Sequence, residues 1–577
     1  MSIQRRQFLK LMSASLMTPF MMTTQQSPSA MGIPKNSPSG SPTGNVFDLS
    51  VASGDPTPTG VVLWTRINPN TYLPTVALQF QLATDTMFTQ IVVAGQVKPQ
   101  DINAERDYTV NLDLDGLLES RQTYYYRFRY GDILSRTGRC KTLPPLGSAL
   151  DSAQFAVITC NDYSSGYFNA FNQLAQESDL DFVIHLGDFI YEYATYNGIY
   201  DPVRRVDLPS GENVAMGLED FRAIYQTYRR DSSLQHALEQ HTWIVVWDDH
   251  ETGDDTYWDY ERDTLGAPNH PYTTQAYRFQ NPQQSLRQLR FDAQQAWIEY
   301  VPARVKVNPA AEHPLEYLQM YRRFQVGDLL DLYMTDSRTY RSQQPCQEAD
   351  VTEACAENRS PDNTMLGTEQ REWLVQGMSH SSARWKVWGN QTLMGRLVVR
   401  PQQEAKIYVS HEAWDGYEYE REQIMQALKQ APVNNLLVLT GDFHSTMACY
   451  LKIDYEDFNN WHNANIVGLE IMTPSISSPN LKRVILAESS LDININALTE
   501  TVVRLINPHI KMFNSDLYGY SIVRLDQKHC EWTIYNIDTR TDNPNATKKQ
   551  FKKLRYDPKT FWLWELDDDN NARLIES

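Results

Sequence analysis

The stretch Phe182-Val-Ile-His-Leu-Gly-Asp-Phe-Ile-Tyr-Glu192 begins as an apolar β-strand and ends in a group of polar side chains. Three further stretches have the same form, namely Phe155-Ala-Val-Ile-Thr-Cys-Asn-Asp162, Trp243-Ile-Val-Val-Trp-Asp-Asp-His-Glu251 and Leu436-Leu-Val-Leu-Thr-Gly-Asp-Phe-His444. Helical patterns separate several of these strands, which predicts a layered α/β domain. Because sites in α/β sheets form outside the carboxyl ends of the strands, the four polar groups predict one shared site.

The side chains at these strand ends are of types that bind metal ions. The cysteine, aspartate, tyrosine and histidine together offer a thiolate, a carboxylate, a phenolate and an imidazole, which suit a trivalent or borderline ion such as iron. The additional carboxylates suit a hard ion such as calcium, magnesium or manganese. Two metal ions about 3.5–4 Å apart can activate a water for in-line displacement at phosphorus, and an adjacent histidine can protonate the leaving oxygen.

These clusters resemble the metallophosphoesterase superfamily and, more narrowly, the PhoD-type alkaline phosphatase/phosphodiesterase family. The resemblance covers nearly the whole chain after residue 45 and depends on a series of motifs in a fixed order. The motifs are Val51-Ala-Ser-Gly-Asp-Pro-Thr-Pro58, Val61-Val-Leu-Trp-Thr-Arg66, His185-Leu-Gly-Asp-Phe-Ile-Tyr-Glu-Tyr193, Trp247-Asp-Asp-His-Glu251, Thr335-Asp-Ser-Arg338, Met365-Leu-Gly367, Trp414-Asp-Gly-Tyr417, Leu439-Thr-Gly-Asp-Phe-His444 and Thr473-Pro-Ser-Ile-Ser-Ser478.

The resemblance implies one ferric ion and one calcium site, without fixing how many calcium ions bind. The implied ferric ligands are Cys160, Asp188, Tyr191 and His444. Asp188 would also bridge to the calcium site, which Asp249 and Asp442 would face. Asn390, at the end of a predicted strand, would be a further ligand.

Two residues have implied roles on the substrate. His250 would act on the leaving group or steady the phosphoryl oxygens. Arg338 would bind phosphate, because a guanidinium matches phosphate oxygens bidentately. The simpler alternative for Arg338 is an ion pair with nearby Asp336.

The chain departs from the family pattern at two places. Where the family often has a pair of Asn after Asp-His-Glu, this chain has Asp254 and Asp255. The extra charge would raise calcium affinity or repel an anionic substrate. Asn161 stands where Gln is usual. His185 lies within an apolar strand and is predicted to be a hydrogen-bonded core histidine.

The predicted organisation has five parts. Residues 1–31 form a twin-arginine signal peptide and residues 32–45 a Pro/Gly/Ser linker. Short strands between turn signals predict an N-terminal β-sandwich at 46–146, of fibronectin-III or immunoglobulin type. Residues 150–540 form the metallophosphoesterase (calcineurin-like) catalytic domain, a sandwich of mixed sheets flanked by helices. Residues 541–577 are predicted to be a C-terminal tail or helix.

The signal prediction depends on Gln4-Arg-Arg-Gln-Phe-Leu-Lys10, followed by a short apolar stretch and small residues. The alternative is a basic amphipathic start with no targeting role. The implied partner is the twin-arginine export machinery, and the implied location is periplasmic or secreted. In such a compartment, Cys346 and Cys355 would form a disulfide.

The 577-residue chain carries 52 basic and 71 acidic residues, a net charge of −19. Such a charge repels nucleic acid and anionic lipid, so a nucleic-acid role beyond that of a substrate is excluded. No run of about 18 uninterrupted apolar residues is present, which excludes a polytopic membrane protein.

The sequence therefore predicts an exported metal-dependent phosphoesterase that hydrolyses phosphomonoesters and phosphodiesters with a metal-activated hydroxide. One alternative is a phospholipase D-like phosphodiesterase, which a choline product would distinguish. The other is a catalytically inactive cell-envelope binding protein, which would be colourless, whereas a ferric-phenolate protein absorbs visible light.

Overall fold

The computed structural model describes residues 45–196, 202–346, 352–400, 407–431, 433–457, 464–483 and 495–575. The predicted signal peptide and almost all of the predicted linker lie outside these residues. Among the helices of the described residues, none is both long enough and apolar enough to cross a bilayer.

The described residues form strands that we number in chain order. They are β1 (Val51–Thr57), β2 (Gly60–Arg66), β3 (Leu78–Ala83), β4 (Ile91–Val97), β5 (Thr109–Asp113), β6 (Thr123–Tyr130), β7 (Ile133–Leu134), β8 (Gly138–Lys141), β9 (Ser152–Ile158), β10 (Phe182–His185), β11 (Thr242–Val245), β12 (Tyr257–Asp259), β13 (Thr264–Gly266), β14 (Lys306–Val307), β15 (Leu318–Gln319), β16 (Arg322–Val326), β17 (Leu330–Met334), β18 (Thr352–Glu353), β19 (Trp385–Gly389), β20 (Val398–Arg400), β21 (Ile407–Tyr408), β22 (Leu436–Thr440), β23 (Thr446–Lys452), β24 (Ile466–Met472), β25 (Ile510–Asn514), β26 (Gly519–Asp526), β27 (Cys530–Asn536), β28 (Lys549–Asp557), β29 (Trp562–Leu566) and β30 (Ala572–Leu574).

Helices lie between many of these strands. The α-helices of the described residues span Asn169–Leu174, Leu218–Arg229, Ser232–Gln240, Pro271–Thr274, Pro282–Tyr300, Pro314–Tyr317, Thr368–His380, Glu418–Gln430 and Ile495–Ile506. Short 3-10 helices span Pro69–Thr71, Pro99–Asp101, Ala104–Arg106, Ala276–Arg278, Ala356–Arg359 and Trp414–Tyr417.

Two large mixed sheets pack against each other through one apolar core, as the sequence predicts. The first sheet has the order β30-β29-β28-β27-β26-β9-β10-β11-β1-β2-β5, and the second has the order β16-β17-β19-β22-β24-β23-β25. Phe155 and Ile184 of the first sheet share a core with Leu437 of the second. The Trp385 indole also donates a hydrogen bond of 2.7 Å to the Asp526 carbonyl, which connects β19 to β26.

The parallel strands bring their carboxyl ends to one edge. Strands β9, β10 and β11 run parallel in register, with Ile158 opposite His185 and His185 opposite Val245. Strands β17, β19 and β22 do the same in the second sheet, with Gly389 opposite Leu439. The polar residues that follow these strands therefore meet between the two sheets.

The N-terminal region is β-rich, but it is not separated from the catalytic region as the sequence analysis expects. Strands β3, β4, β6, β7 and β8 form their own sheet, and they share an apolar core with β1 and β2. Strands β1, β2 and β5, however, extend the catalytic sheet, because β1 pairs in parallel with β11, with Gly54 opposite Trp243. The sequence shows no sign of this pairing, since its partners are about two hundred positions apart.

The C-terminal prediction of a tail or helix is wrong. Residues 549–574 contain β28, β29 and β30, which extend the catalytic sheet beyond residue 540. The basic stretch Lys548-Lys-Gln-Phe-Lys-Lys-Leu-Arg555 provides most of β28, where Leu554 and Tyr556 are buried on one face. Arg555 on the opposite face pairs with Glu531 at 2.7 Å. The pattern has the period of a strand rather than that of a solvated helix.

Cys346 and Cys355 form the predicted disulfide, with Cα atoms 5.5 Å apart. Cys140, Cys160, Cys449 and Cys530 are free and buried.

Candidate metal centre

The four predicted ferric ligands lie together. Cys160, Asp188 and His444 each offer one ligand atom, and these atoms lie within 4.8 Å of one another. The Tyr191 hydroxyl completes the set, at 2.9 Å from Asp188 Oδ2 and 3.2 Å from His444 Nε2. All four residues are buried. Their donors come from the ends of β9, β10 and β22, so both sheets contribute.

Asp188 is shared by two neighbouring groups of possible ligands. It lies within 4.8 Å of donor atoms of Asp249 and His250 as well as those of Cys160 and His444. Asp249 in turn belongs to a group with Asp248 and Asp442. This placement is what a carboxylate that bridges two ions requires.

The two acidic residues that depart from the family pattern lie at the same site. Asp254 and Asp255 form a fourth group with Asp249, with donor atoms within 4.8 Å of one another. Asp255 also donates its backbone N–H to Asp249 Oδ2 at 2.8 Å. The extra carboxylates therefore lie beside Asp249, which is one of the predicted calcium ligands.

The backbone at these strand ends adopts an unusual conformation. Cys160, Asp188, Asp442 and His444 all have φ between 51° and 58°, in the left-handed region that non-glycine residues rarely adopt. Such residues cost of order 1–3 kcal/mol each and cluster at functional sites. Gly187 has φ 109°, and a Cβ there would lie 2.5 Å from the Asp248 Cβ, so only glycine fits before Asp188.

Hydrogen bonds orient the two histidines of these strands differently. His444 Nδ1 lies 3.0 Å from the Pro479 carbonyl, which can only accept, so Nδ1 carries the proton and Nε2 keeps its lone pair for a metal ion. His185 instead binds Asn161 Oδ1 at 2.6 Å and the Gly187 N–H at 3.2 Å. Burial lowers the pKa of His185 to about 3. It is the satisfied core histidine that the sequence predicts.

The site buries more negative charge than its own cations balance. Burial, and after it the Asp188 carboxylate, raises the pKa of the Cys160 thiol and of the Tyr191 phenol well above their usual values. Burial also raises the pKa of Asp188 well above its usual value. The buried Oδ1 of Asp188 and Oδ2 of Asp248 have no hydrogen-bond partner. A donor set in this state fits metal cations, because cations stabilise all of these groups as anions.

Arg338 does not face open space, where a substrate phosphate would bind. Its side chain is completely buried, and it pairs with Asp248, with Glu412 at 2.6 Å and with Asp442 at 3.2 Å. All three guanidinium nitrogens are therefore directed at carboxylates. These contacts do not favour the predicted phosphate contact, and they favour a role in holding Asp248 and Asp442.

Asn390 is also engaged elsewhere. Its Oδ1 accepts a hydrogen bond of 3.1 Å from the Trp414 indole, and its amide donates to the Thr392 carbonyl. No contact of this side chain with the predicted ligands is recorded among the described residues. Its role as a metal ligand stays a prediction.

Glu251 belongs to one of the sequence motifs, but the sequence indicates no role for it. Its carboxylate accepts three backbone N–H groups, from Asp188 at 3.0 Å, Phe189 at 2.8 Å and Asp248 at 2.9 Å. It therefore ties the end of β10 to the end of β11. In the sequence, its position three residues after Asp248 is the one feature that indicates a contact with the end of β11.

Glu192 also belongs to a sequence motif for which the sequence indicates no role at this residue. Its Oε2 lies 2.7 Å from His250 Nδ1, and its Oε1 accepts the Asp254 backbone N–H at 3.0 Å. Burial alone would lower the pKa of His250, but the carboxylates of Glu192, Asp249 and Asp188 raise it well above its usual value. Glu192 thus orients the imidazole and favours its protonated form.

Comparison with known proteins shows the family to which this chain is related. Residues 155–534 match the model of the PhoD-like phosphatase family, and residues 34–144 match that of the PhoD-like phosphatase N-terminal domain. Alkaline phosphatase D of Bacillus subtilis (strain 168) is 32% identical over 507 residues, which are 87% of this chain and 79% of that protein. A solved structure of PhoD superposes with a TM-score of 0.77 and 29% identity, over 93% of this chain and 94% of that one.

The fold, the strand-end site and these matches define a phosphoesterase, a hydrolase of the phosphatase type. Within that class, the chain belongs to the PhoD-like phosphatase family.

Replacing Glu251 with Gln should disturb the centre without removing a ligand. The substitution replaces one acceptor oxygen of the carboxylate by an NH2 group, which is a donor. This donor would face backbone N–H groups that need an acceptor. We expect a loss of about 1–3 kcal/mol in unfolding free energy and a fall of roughly 10–100-fold in activity.

The matched control is Glu470→Gln. Glu470 is a buried glutamate that accepts the Met394 and Gly395 N–H groups at 2.9 and 2.7 Å. It should lose similar stability, measured by denaturant unfolding, with a smaller loss of activity. Equal activity losses in the two variants would contradict a specific role for Glu251.

Proposed function

We propose that the chain is an exported, metal-dependent phosphoesterase that hydrolyses phosphomonoesters and phosphodiesters. The observation that carries the proposal is the position of Asp188, whose carboxylate lies in two neighbouring groups of possible metal ligands. One group contains the Cys160 thiol and the other contains Asp249 and His250, so a carboxylate shared between them suits two neighbouring ions with different ligands.

The donor sets support one ion of each kind. Cys160, Asp188, Tyr191 and His444 would hold a ferric ion, since thiolate, phenolate and imidazole suit it. Asp188, Asp249 and Asp442 would hold calcium. Asp249 lies in one group with Asp188 and His250 and in another with Asp248 and Asp442. When bound, such ions lower the pKa of a water to generate a nucleophile and neutralise charge on phosphoryl oxygens.

The residues of the chain supply the remaining functions. His250 lies beside Asp188 and Asp249 and is kept protonated by Glu192, so it can donate a proton to the leaving oxygen. The imidazole packs against the Tyr191 ring at 4.1 Å between ring centroids, which fixes its plane. Arg338 holds Asp248 and Asp442 in place and offsets part of their charge.

Export is proposed from the first thirty-one residues together with the disulfide. A Cys346–Cys355 disulfide persists in an oxidising compartment and not in the reducing cytosol. Changing Arg5 and Arg6 together to Lys should leave the protein in the cytoplasmic fraction, because the export route reads the arginine pair. Unchanged export of this double variant, measured by cell fractionation, would contradict the twin-arginine route.

The bridging role is tested by Asp188→Asn. The amide keeps the shape but removes the charge that two cations would share, so we expect loss of at least about 100-fold in activity. Metal content, measured by elemental analysis, should fall in the same variant.

The matched control is Asp331→Asn. Asp331 is equally buried and also has one oxygen without a partner. It is the second residue of β17, at the opposite end of the strand from the carboxyl edge where the site lies. This variant should keep its metals and most of its activity. Near wild-type turnover of Asp188→Asn, with both metals retained, would exclude the bridge.

The ferric site is tested by colour. Coordination of the Tyr191 phenolate to ferric iron gives a phenolate charge-transfer band in the visible range, so Tyr191→Phe should lose this band, leave any Cys160 thiolate absorption, and bind calcium normally. The control is Tyr193→Phe, since Tyr193 packs on the Tyr191 ring but donates its hydroxyl to Asp162. A visible band unchanged in Tyr191→Phe would contradict the ligand assignment.

A further inference from the structure

Arg229 is a fully buried arginine at the contact between the N-terminal strands and the catalytic helices. It is the last residue of the helix Leu218–Arg229, and 1% of its surface is exposed. Its guanidinium carbon lies 3.7 Å above the ring of Trp64, which belongs to β2. One of its nitrogens, Nη2, donates to the Tyr300 carbonyl at the end of the helix Pro282–Tyr300.

The other two nitrogens have no partner. Nε and Nη1 are buried without a hydrogen bond, and no carboxylate of the described residues forms an ion pair with Arg229. The other fully buried arginines have more partners. Arg338 and Arg341 pair with Glu412, and Nε of Arg341 is buried without a partner. Arg290 forms no ion pair with a carboxylate of the described residues, but it donates to the hydroxyls of Thr252 and Thr339.

A buried guanidinium without a counter-ion lowers the stability of the folded protein unless another charged or polar group binds it. A buried charge without a counter-ion carries a desolvation penalty that hydrogen bonds to neutral groups do not fully offset. Buried unsatisfied donors in native proteins commonly mark a bound water or ion. The observation therefore points to an occupant beside Arg229.

The charge of Arg229 is present under ordinary conditions. Burial lowers the pKa of Arg229 to about 9, and the groups that act in the opposite direction are Tyr300, Tyr225 and Tyr126. These tyrosines are themselves neutral, since burial raises the pKa of each well above its usual value. At neutral pH the guanidinium is therefore a cation among uncharged rings.

We propose that Arg229 forms a buried binding site for one small monovalent anion of the chloride type. One positive charge with unpartnered N–H groups matches a single negative charge without directional lone pairs, which can approach at either Nε or Nη1. A phosphate or carboxylate would bring extra oxygens that need further donors. A water would accept from one N–H group but would leave the charge uncompensated.

The surroundings suit a polarisable halide. The guanidinium stacks on the Trp64 ring, which belongs to an aromatic cluster: Trp64 lies 6.1 Å from the Tyr300 ring, and Tyr300 stacks on Tyr225 at 5.2 Å. The Tyr225 hydroxyl is also buried without a hydrogen-bond partner.

The site would stabilise the junction between the two regions. Trp64 stacks on Arg229 and also donates its indole N–H to the Glu299 carbonyl at 2.7 Å, next to Tyr300. An anion held by Arg229 would therefore strengthen the attachment of β2 to the end of the helix Pro282–Tyr300. This role is independent of the phosphoesterase proposal, because none of these residues belongs to the metal centre.

The direct test is crystallography of the metal-loaded mature protein in sodium bromide. We expect an anomalous peak within hydrogen-bond distance of Arg229 Nε or Nη1. A position with ordinary water density and no anomalous signal, at a bromide concentration that labels other sites, would overturn the proposal.

The second test is thermal unfolding at constant pH and ionic strength, with chloride replaced stepwise by methanesulfonate, which is too large for an enclosed site. Chloride should raise the unfolding temperature of the wild type saturably, by roughly 2–4 °C. Arg229→Met should lose this dependence. Arg290→Met, which removes another buried arginine stacked on a tryptophan, should be less stable but keep it.

A wild type with no saturable response to chloride, or equal responses in the wild type and Arg229→Met, would contradict the site. If Arg229→Met does not fold, the wild-type titration and the bromide experiment still decide the question.

Discussion

The burial of negative charge at the carboxyl edge of two facing sheets is the constraint on which the rest of this structure depends. Carboxylates from three strand ends, a thiol and a phenol lie within a few ångströms of one another and away from water. Such a group is unstable unless cations enter it, because like charges in a poorly solvated site repel each other strongly. The unpartnered oxygens of Asp188 and Asp248 show that the protein itself does not complete the compensation.

The surrounding structure holds this charge in place. Glu251 fixes the backbone where β10 and β11 end, and Gly187 allows the close approach of the two turns. Arg338 pairs with the carboxylates of Asp248 and Asp442. Glu192 binds His250 Nδ1 and so orients the imidazole. The left-handed backbone conformation of the residues at the strand ends is unfavourable in free energy, and it persists because the surrounding packed structure holds it in place. The predicted ligands and His250 are thus held in position by contacts within the chain itself.

The sequence predicts the site better than it predicts the domains. The ligand residues follow directly after apolar strands, so their convergence follows from local patterns and from the geometry of parallel sheets. The pairing of β1 with β11 depends on residues far apart in the chain, which no local pattern records. The C-terminal strands were missed because basic residues dominate β28 and hide its alternation. The complete burial of Arg338 could not be foreseen either, since its carboxylate partners come from three separate segments.

The most direct test of the account is hydrolysis of bis(p-nitrophenyl) phosphate and p-nitrophenyl phosphate by the purified mature protein at alkaline pH. The assay is run with calcium, with a chelator, and with calcium restored after the chelator. The account predicts release that the chelator abolishes and calcium restores, with the faster ester showing whether diesters or monoesters are preferred. Release that is unaffected by the chelator, or no release from either ester by protein that contains both metals, would contradict a two-metal phosphoesterase acting on these esters.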